Sequence, residues 1–408
     1  MTDNRNTDQV KGEGSRRQFI VFLIFIAILG AFSSLVNDMY LPTIPAMMRE
    51  YHTTPSATQM GLSMAMLGLG IGSVVWGSVS DRYGRKPILI ISLVVFAVAT
   101  AVAVLSPTIE FFICCRLVQG IGAGGAMVLS YSIPADCYSG RQLAKVMALV
   151  GAINGFAPAA APLIGGAMAD TTGWRGIFLL LLAIGMVMIV WAWRRPESLS
   201  PALRIKPIGV KTYIKAYVAL FRNRRFMIYV FIKAIAIGLL YAYISSAPFI
   251  YQDHYGFSSL EFGMIFGGNA IAIAAGSVAV MRFSVLKRGL VVGTIAMSAA
   301  AIAEAVVMYH SLPFVYYELM ALPMLFASGM VFASANGLGM DAGRSDAGTA
   351  GAILNVVKYI FAAIVAPLVG LGDILRSSAW CFTVVAVIAI LLAIPAYRLK
   401  PMSSMIKR

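Results

Sequence analysis

The sequence predicts an all-α membrane protein: twelve transmembrane helices in two pseudo-symmetric six-helix bundles, with both termini in the cytoplasm. Three observations carry this prediction. They are apolar runs of membrane-crossing length, a one-sided distribution of Lys and Arg, and a weak internal repeat near half the chain length. Hydrophobic residues fill 60% of the 408 positions and charged residues only 12%, far from the balance of water-soluble domains.

In chain order the apolar runs are 18–40, 56–79, 87–105, 109–131, 143–168, 175–194, 226–250, 258–281, 289–309, 314–339, 347–370 and 377–397. Each approaches the roughly 20 residues a helix needs to cross about 30 Å of hydrocarbon. None alternates as a barrel strand does, and a helix satisfies its own backbone hydrogen bonds in lipid. The first run reads as a retained span. Its apolar part, Phe19 to Val36, is too long for a cleaved signal peptide, and Asp38-Met-Tyr-Leu-Pro42 follows instead of small residues.

Of the 32 Lys and Arg residues, 26 fall in the two tails and in the loops on their side, nine of them in 194–225. Arg49, Arg175 and Arg376 fall on the other side, and Arg116, Lys233 and Lys358 lie inside runs. This asymmetry places both termini in the cytoplasm. The net charge of +15 is then a membrane-surface signal. Nucleic-acid binding needs a clustered basic face on a soluble module, which the sequence lacks.

The longest interior hydrophilic segment contains Pro196, Pro201 and Pro207, then a basic amphipathic stretch from Val210 to Phe221. It reads as a linker, 196–225, with a helix on the inner surface. The linker separates an N-terminal bundle, 18–195, from a C-terminal bundle, 226–397. Residues 1–17 form a polar tail predicted to be disordered, and 398–408 a second cytoplasmic tail. Gly151-Ala-Ile-Asn154 and Ala161-Pro-Leu-Ile-Gly165 are echoed by Gly351-Ala-Ile-Leu-Asn355 and Ala366-Pro-Leu-Val-Gly370. Two related halves imply a binding site between them near the midplane, opened alternately to each side by rocking.

The charged loop between runs two and three, Gly77 to Pro87, holds Asp81, Arg82, Arg85 and Lys86. Gly77 permits close helix approach, Gly84 a left-handed turn, and Pro87 the first turn of the next helix. Asp81 can accept from Arg85 or cap a helix, so the loop can serve as a breakable latch, with Asp81 its single acid. Asp38, near the end of run one, is costly in lipid and predicted to face a polar cavity. Desolvation penalises its charged form, which suits a proton carrier; a helix-capping interfacial Asp is the alternative reading. Arg116 lies two turns into run four and needs strong pairing, with Asp38 as a partner within reach.

Asn37, Tyr40, Gln119, Asn154, Tyr241, Tyr243 and Asn355 are further cavity candidates, although a spacing of two keeps Tyr241 and Tyr243 off one helical face. Run five concentrates Gly151, Gly155, Pro158, Pro162, Gly165 and Gly166, which allow a bend and close packing. Lys358 is about twelve residues into run eleven, roughly 18 Å at helical rise and so near the midplane. Lys233 lies nearer a run end and can snorkel. Glu304 and Glu318 read as solvated residues near the outer surface. The four cysteines show no metal spacing, and no haem, zinc or nucleotide motif occurs. The three histidines, His52, His254 and His310, scatter near run ends, so no enzyme constellation forms.

The charged loop resembles the signature loop of the major facilitator superfamily. Asp38-Met-Tyr-Leu-Pro42, Thr58-Gln-Met-Gly-Leu-Ser63, Arg116 with Gln119-Gly120, Ala161-Pro-Leu-Ile-Gly-Gly166, Trp174-Arg-Gly-Ile-Phe178, Ser246-Ala-Pro-Phe-Ile-Tyr251 and Ala347-Gly-Thr-Ala350 stand in the expected order. Together they resemble the bicyclomycin/chloramphenicol-resistance (Bcr/CflA) branch of drug:proton antiporters, and run five resembles the antiporter motif. The resemblance implies a monomeric exporter of small molecules in the bacterial inner membrane, with the proton as coupling ion and no cofactor. It implies Asp38 as the protonatable site, Arg116 as its partner, and Asp81 with Arg85 as the inner gate. Lys358 keeps a second reading open, a dedicated exporter of an anionic metabolite such as an amino-acid derivative or chelator.

Overall fold

The computed structural model describes residues 6–204, 217–344 and 347–398. The helices are α1 (Asn6–Asp38), the short α2 (Ile44–Glu50), α3 (Pro55–Tyr83), α4 (Arg85–Val104), α5 (Ile109–Cys137) and α6 (Gly140–Trp193). In the second half they are α7 (Arg224–Phe249), α8 (Ser259–Ala279), α9 (Leu286–Tyr309), α10 (Phe314–Ala342), α11 (Ala347–Leu368) and α12 (Ile374–Arg398). No strand occurs among the described residues.

Local sequence sets several helix starts. The hydroxyl of Thr54 accepts from Ala57 N ahead of α3, with Pro55 in its first turn. Thr108 and Asn223 cap α5 and α7 in the same way, and Ser258 with Glu261 closes a reciprocal capping box on α8. Each satisfies backbone donors that helix geometry leaves without partners.

Eleven helices among the described residues are long and apolar enough to cross a membrane. The predicted fifth and sixth runs share one of them. α6 has 54 residues, about 80 Å at 1.5 Å rise and far too long for one crossing, but its backbone breaks at Gly173 (φ 62, ψ −169). That break falls between the two runs. The first helix reaches back into the polar tail. α1 begins at Asn6, because extending a helix already nucleated by an apolar span costs little. Residues 1–5, 205–216, which include most of the predicted linker helix (210–221), 345–346 and the tail from 399 lie outside the described residues.

Packing repeats between the halves. In the first, α3 packs on α5, α4 on α5 and α6, and α1 on α5 and α6. In the second, α8 packs on α10, α9 on α10 and α12, and α7 on α10, α11 and α12. The halves meet along two helix pairs, α6 with α8 and α3 with α11. Under the repeat, α3 corresponds to α8 and the first part of α6 to α11, so the two pairs are equivalent.

Backbones nearly touch along α6 and α8. A Cβ on Gly263 would stand 2.5 Å from the Pro162 carbonyl oxygen, one on Gly267 would stand 2.6 Å from that of Ala159, and one on Gly166 would collide with that of Ser259. Polar links between the halves gather where α1 ends. Arg49 pairs with Asp253 at 2.9 Å, Gln252 donates to the Pro42 carbonyl at 2.9 Å, and Ser56 donates to that of Pro367 at 3.0 Å. This is the closed end of the molecule.

The glycines of α6 separate into two environments. A Cβ on Gly165 would overlap the Met39 carbonyl oxygen, whereas one on Gly151 or Gly155 meets nothing within 4 Å. The predicted close packing is therefore confined to the second part of that motif. Gly165→Ala should lower the stability of the purified protein by about 1–3 kcal/mol through overpacking. Gly155→Ala should leave it unchanged or raise it by up to about 1 kcal/mol through helix propensity. Thermal unfolding in detergent measures both.

Candidate functional site

A cavity of about 820 Å³ lies between the halves. It runs from Asp38 and Tyr243 toward Tyr131, Gly151 and Ser277, near the end that carries the charged loop. Its charged lining residues are Asp38 and Lys358. α1 delivers Asp38 in its last turn, 8% exposed, with the Ser34 hydroxyl beside it one turn back. Asn37 also lines the cavity, and its amide donates to the Ser33 carbonyl at 2.9 Å.

Arg116 does not pair with Asp38. The four ion pairs among the described residues are Arg49–Asp253, Arg85–Asp81, Arg85–Asp136 and Arg175–Glu50. The Arg116 guanidinium is 0% exposed and donates to the carbonyls of Val36 (3.0 Å) and Gly61 (3.3 Å), to Gln119 Oε1 (2.5 Å) and to Asn37 Oδ1 (3.5 Å). Its carbon centre stands 4.5 Å from the Tyr40 ring centroid. Hydrogen bonds to a charged group contribute about 1.5–3 kcal/mol each, so carbonyls, amides and an aromatic face replace the expected carboxylate. Tyr40 and Gln119 are consequently off the cavity. Tyr40 packs under the guanidinium, and Gln119 spans from Arg116 to the Thr100 hydroxyl at 2.8 Å.

The charged loop forms a cluster wider than expected. Arg85 pairs with Asp81 at 2.5 Å, as the i,i+4 spacing predicts, but also with Asp136 at 2.8 Å. Glu197 accepts from the backbone N–H groups of Arg85 (2.8 Å) and Lys86 (3.1 Å), which caps α4. Gly84 joins α3 to α4 at φ 107, ψ 156, backbone open to glycine alone. Asp81 is thus one acid of three; Asp136 belongs to the same half and Glu197 to the start of the linker, so the cluster braces the first half and ties the linker to it. Arg82 is exposed and stacks on Tyr83. Gly77 has ordinary contact with Val128; the tight approaches of α3 to α5 occur at Gly68 and Gly72.

In the second half, Lys358 on α11 lines the cavity with its ammonium 4.5 Å from the Tyr359 ring. Lys233 lies off the cavity and donates to Asn336 Oδ1 at 2.9 Å. Asn355 is exposed and also off the cavity; the Asn154 side chain is outside the described residues. Pro158 lines the cavity and Pro162 is buried at the α8 crossing. Tyr241 and Tyr243 both line the cavity although they point apart. Tyr241 reaches Met66 Sδ on α3 at 3.5 Å, and Tyr243 stacks on Phe266 of α8.

The sequence reading missed a buried polar chain that starts at Tyr243. Asn269 lines the cavity and donates to the hydroxyls of Tyr243 (2.9 Å) and Tyr251 (3.3 Å). Tyr251 donates to Glu318 Oε2 at 2.6 Å. Glu304, expected at a solvated surface, is 0% exposed, with neither carboxyl oxygen hydrogen-bonded. Alanines at 300 and 301 and Val307 and Met308 flank it at helical spacing, the available signal that its face is buried.

The absence of an Asp38–Arg116 pair has a measurable consequence. Arg116→Lys keeps the charge but loses the planar fork, and should cost about 3–5 kcal/mol in unfolding free energy, the scale for breaking a buried charge network. Asp38→Asn should be neutral or stabilising, because it removes a desolvated charge without orphaning a cation. Equal losses in the two variants would restore the pair.

The family model of the Major Facilitator Superfamily matches residues 26–367. The Uncharacterized MFS-type transporter YdgK of Bacillus subtilis is 33% identical over 366 residues, covering 88% of this chain and 90% of that protein. The Bicyclomycin resistance protein homolog of Haemophilus influenzae is 24% identical over 379 residues, covering 92% and 95%. A bacterial homologue of the human lysosomal transporter Spinster, solved in an inward-facing, occupied conformation, shares the fold with TM-score 0.73 at 16% identity, over 94% of this chain and 97% of that one. With the repeated helix packing and the cavity between the halves, these matches establish that the chain belongs to the major facilitator superfamily of membrane transporters.

Proposed function

We propose that this transporter is a proton-coupled exporter of small molecules, working by alternating access in the bacterial inner membrane with Asp38 as a proton carrier. The observation that carries the reading is Asp38 itself, a carboxyl that lines the cavity at its closed end, nearly buried and without a cationic partner among the described residues. Such a group changes charge when it binds a proton, and nothing nearby compensates the change. The two conformations therefore differ in their preference for the proton. The Lys and Arg asymmetry puts the charged-loop end in the cytoplasm, so the conformation described here faces inward. Inward release of the proton leaves Asp38 anionic and the cavity ready for cargo from the cytoplasm. Protonation from the opposite side then favours the return.

The name of the Haemophilus relative supports an antibiotic or other drug as cargo. Lys358 supports the second reading, an anionic metabolite, because its ammonium faces the cavity with no carboxylate in ion-pair range among the described residues.

Purified protein in liposomes under an imposed proton gradient tests the first reading with bicyclomycin as probe. Asp38→Asn should abolish the gradient's effect on uphill transport, a loss of about 5–150-fold on the usual scale of coupling energies, and should leave downhill exchange measurable. Undiminished uphill transport would sink the proton assignment. Lys358→Ala should weaken binding of small organic anions about tenfold, or 1.4 kcal/mol, with neutral bicyclomycin little affected. Equal effects on both classes would remove the anion reading.

A further inference from the structure

Two carboxyls of the second half have no role in the scheme above. Glu304 on α9 is fully buried with both oxygens unpartnered, and Glu318 on α10 is bound by Tyr251. The titratable groups facing them are each other, Tyr243 from α7, Tyr251 and Tyr255 from the segment that follows it, and Tyr317 from α10. The Tyr317 phenol stands beside Glu304 without hydrogen-bond geometry. α8 contributes Asn269, which is not titratable. α12, packed along α9, carries only an exposed Arg376 at this end, and the thiol of Cys381. Among the described residues, no Lys, Arg or His is among the groups that face the pair.

A fully buried acid beside a half-buried one, with no cation facing either, cannot ionise together with its neighbour at tolerable cost. The pair must hold at least one proton, and which of its oxygens hold it depends on the surroundings. A purely structural acid satisfies its oxygens by hydrogen bonds, and Glu304 does not. Its carboxyl therefore brings no packing or bonding advantage over an apolar side chain of the same size.

Position adds the second argument. Glu304 lies five residues before the end of α9, about 7.5 Å along the axis from the closed-end loop. Glu318 is in the second turn of α10. From Glu318 the hydroxyls of Tyr251 and Tyr243 lead to the cavity wall, 3.3 Å apart and held together by the Asn269 amide. The pair therefore stands between the cavity and the face on which direct passage is sealed.

We propose that Glu304 and Glu318 form a second proton-binding site, connected to the cavity through Tyr251 and Tyr243. A proton from the closed-end solution converts one carboxylate of the pair to the acid. Release runs the other way along the chain: the Glu318 acid gives its proton to the Tyr251 oxygen as that hydroxyl passes its own to Tyr243, and Tyr243 passes one to cavity water. Asn269 is a positioning residue that aligns the two phenols. This site rests on the proton-coupled reading for its purpose, but its titration can be observed without any cargo.

Infrared titration of the protein in lipid tests it. The carbonyl stretch of protonated carboxyls should change with pH, and Glu304→Gln and Glu318→Gln should each remove part of that change. Asp38→Asn should remove a different part. Tyr251→Phe keeps both acids and should shift the titration midpoint, which covers the case in which the Gln variants do not fold. A titrating signal untouched by the Gln variants, or a midpoint unmoved in Tyr251→Phe, overturns the site. In liposomes the proton-to-bicyclomycin ratio should fall in the Glu variants. An unchanged ratio with Asp38-dependent coupling overturns this site and leaves the exporter reading standing. A titrating glutamate signal without proton-driven transport in the unmodified protein does the reverse.

Discussion

The arrangement depends on how two half-molecules hold together in lipid, where no hydrophobic effect distinguishes a neighbouring helix from an acyl chain. The solution here is backbone proximity. Gly166, Gly263 and Gly267 bring α6 and α8 within reach of each other's carbonyls, and in the symmetry-related pair Gly70 of α3 makes room for the Tyr359 side chain of α11. At the closed end Gly370 abuts the backbone of Pro55 and Ser56. Dispersion is steep in distance, so removing a few side chains at these crossings gains contact along both helices. The cavity is the space left where those residues give way to exposed Gly151, Gly155 and Phe156.

Within the first half, Arg116 fixes the end of α1. The Val36 carbonyl it binds is one of the last four of that helix, groups that lack intrahelical partners, and a cation there also suits the helix dipole. Asn37, held by the same guanidinium, precedes Asp38 directly. Arg116 therefore acts on Asp38 by fixing the backbone that presents it, while the carboxyl itself stays free to change charge. A direct pair would instead have favoured the ionised form of Asp38.

Much of this was legible in the sequence, and the limits follow sequence distance. Helix type, run boundaries and the Asp81–Arg85 contact depend on neighbours within one turn, and those were readable. Asp136 and Glu197 join the same cluster from 51 and 112 residues beyond Arg85, which no local pattern reports. Glu304 was misplaced because closeness to a run end was taken as solvent exposure, although the apolar residues around it at helical spacing pointed inward. Tyr241 and Tyr243 were correctly assigned to different faces, but the cavity borders both, since α7 faces α3 on one side and α8 on the other. Arg116 was rightly expected to need compensation. Its kind could not be read, because the helix-end carbonyls that supply it have no sequence signature.

The closed end is suited to opening because no single contact dominates it. Arg49 and Asp253 form an exposed pair, side chains 62% and 35% accessible, of a kind that contributes about 0–1 kcal/mol. The remaining links are hydrogen bonds from Gln252, Ser56 and Gln59 to backbone carbonyls of the opposite half, about 0.5–1.5 kcal/mol each in net terms. Such bonds re-form with water when the halves part, and the crossings can slide without burying new polar groups. The difference between the two conformations is then small, on the scale of the about 1–3 kcal/mol by which a bound ligand shifts such an equilibrium. A stronger lock at this end would hold the halves together against any ligand that favours parting them.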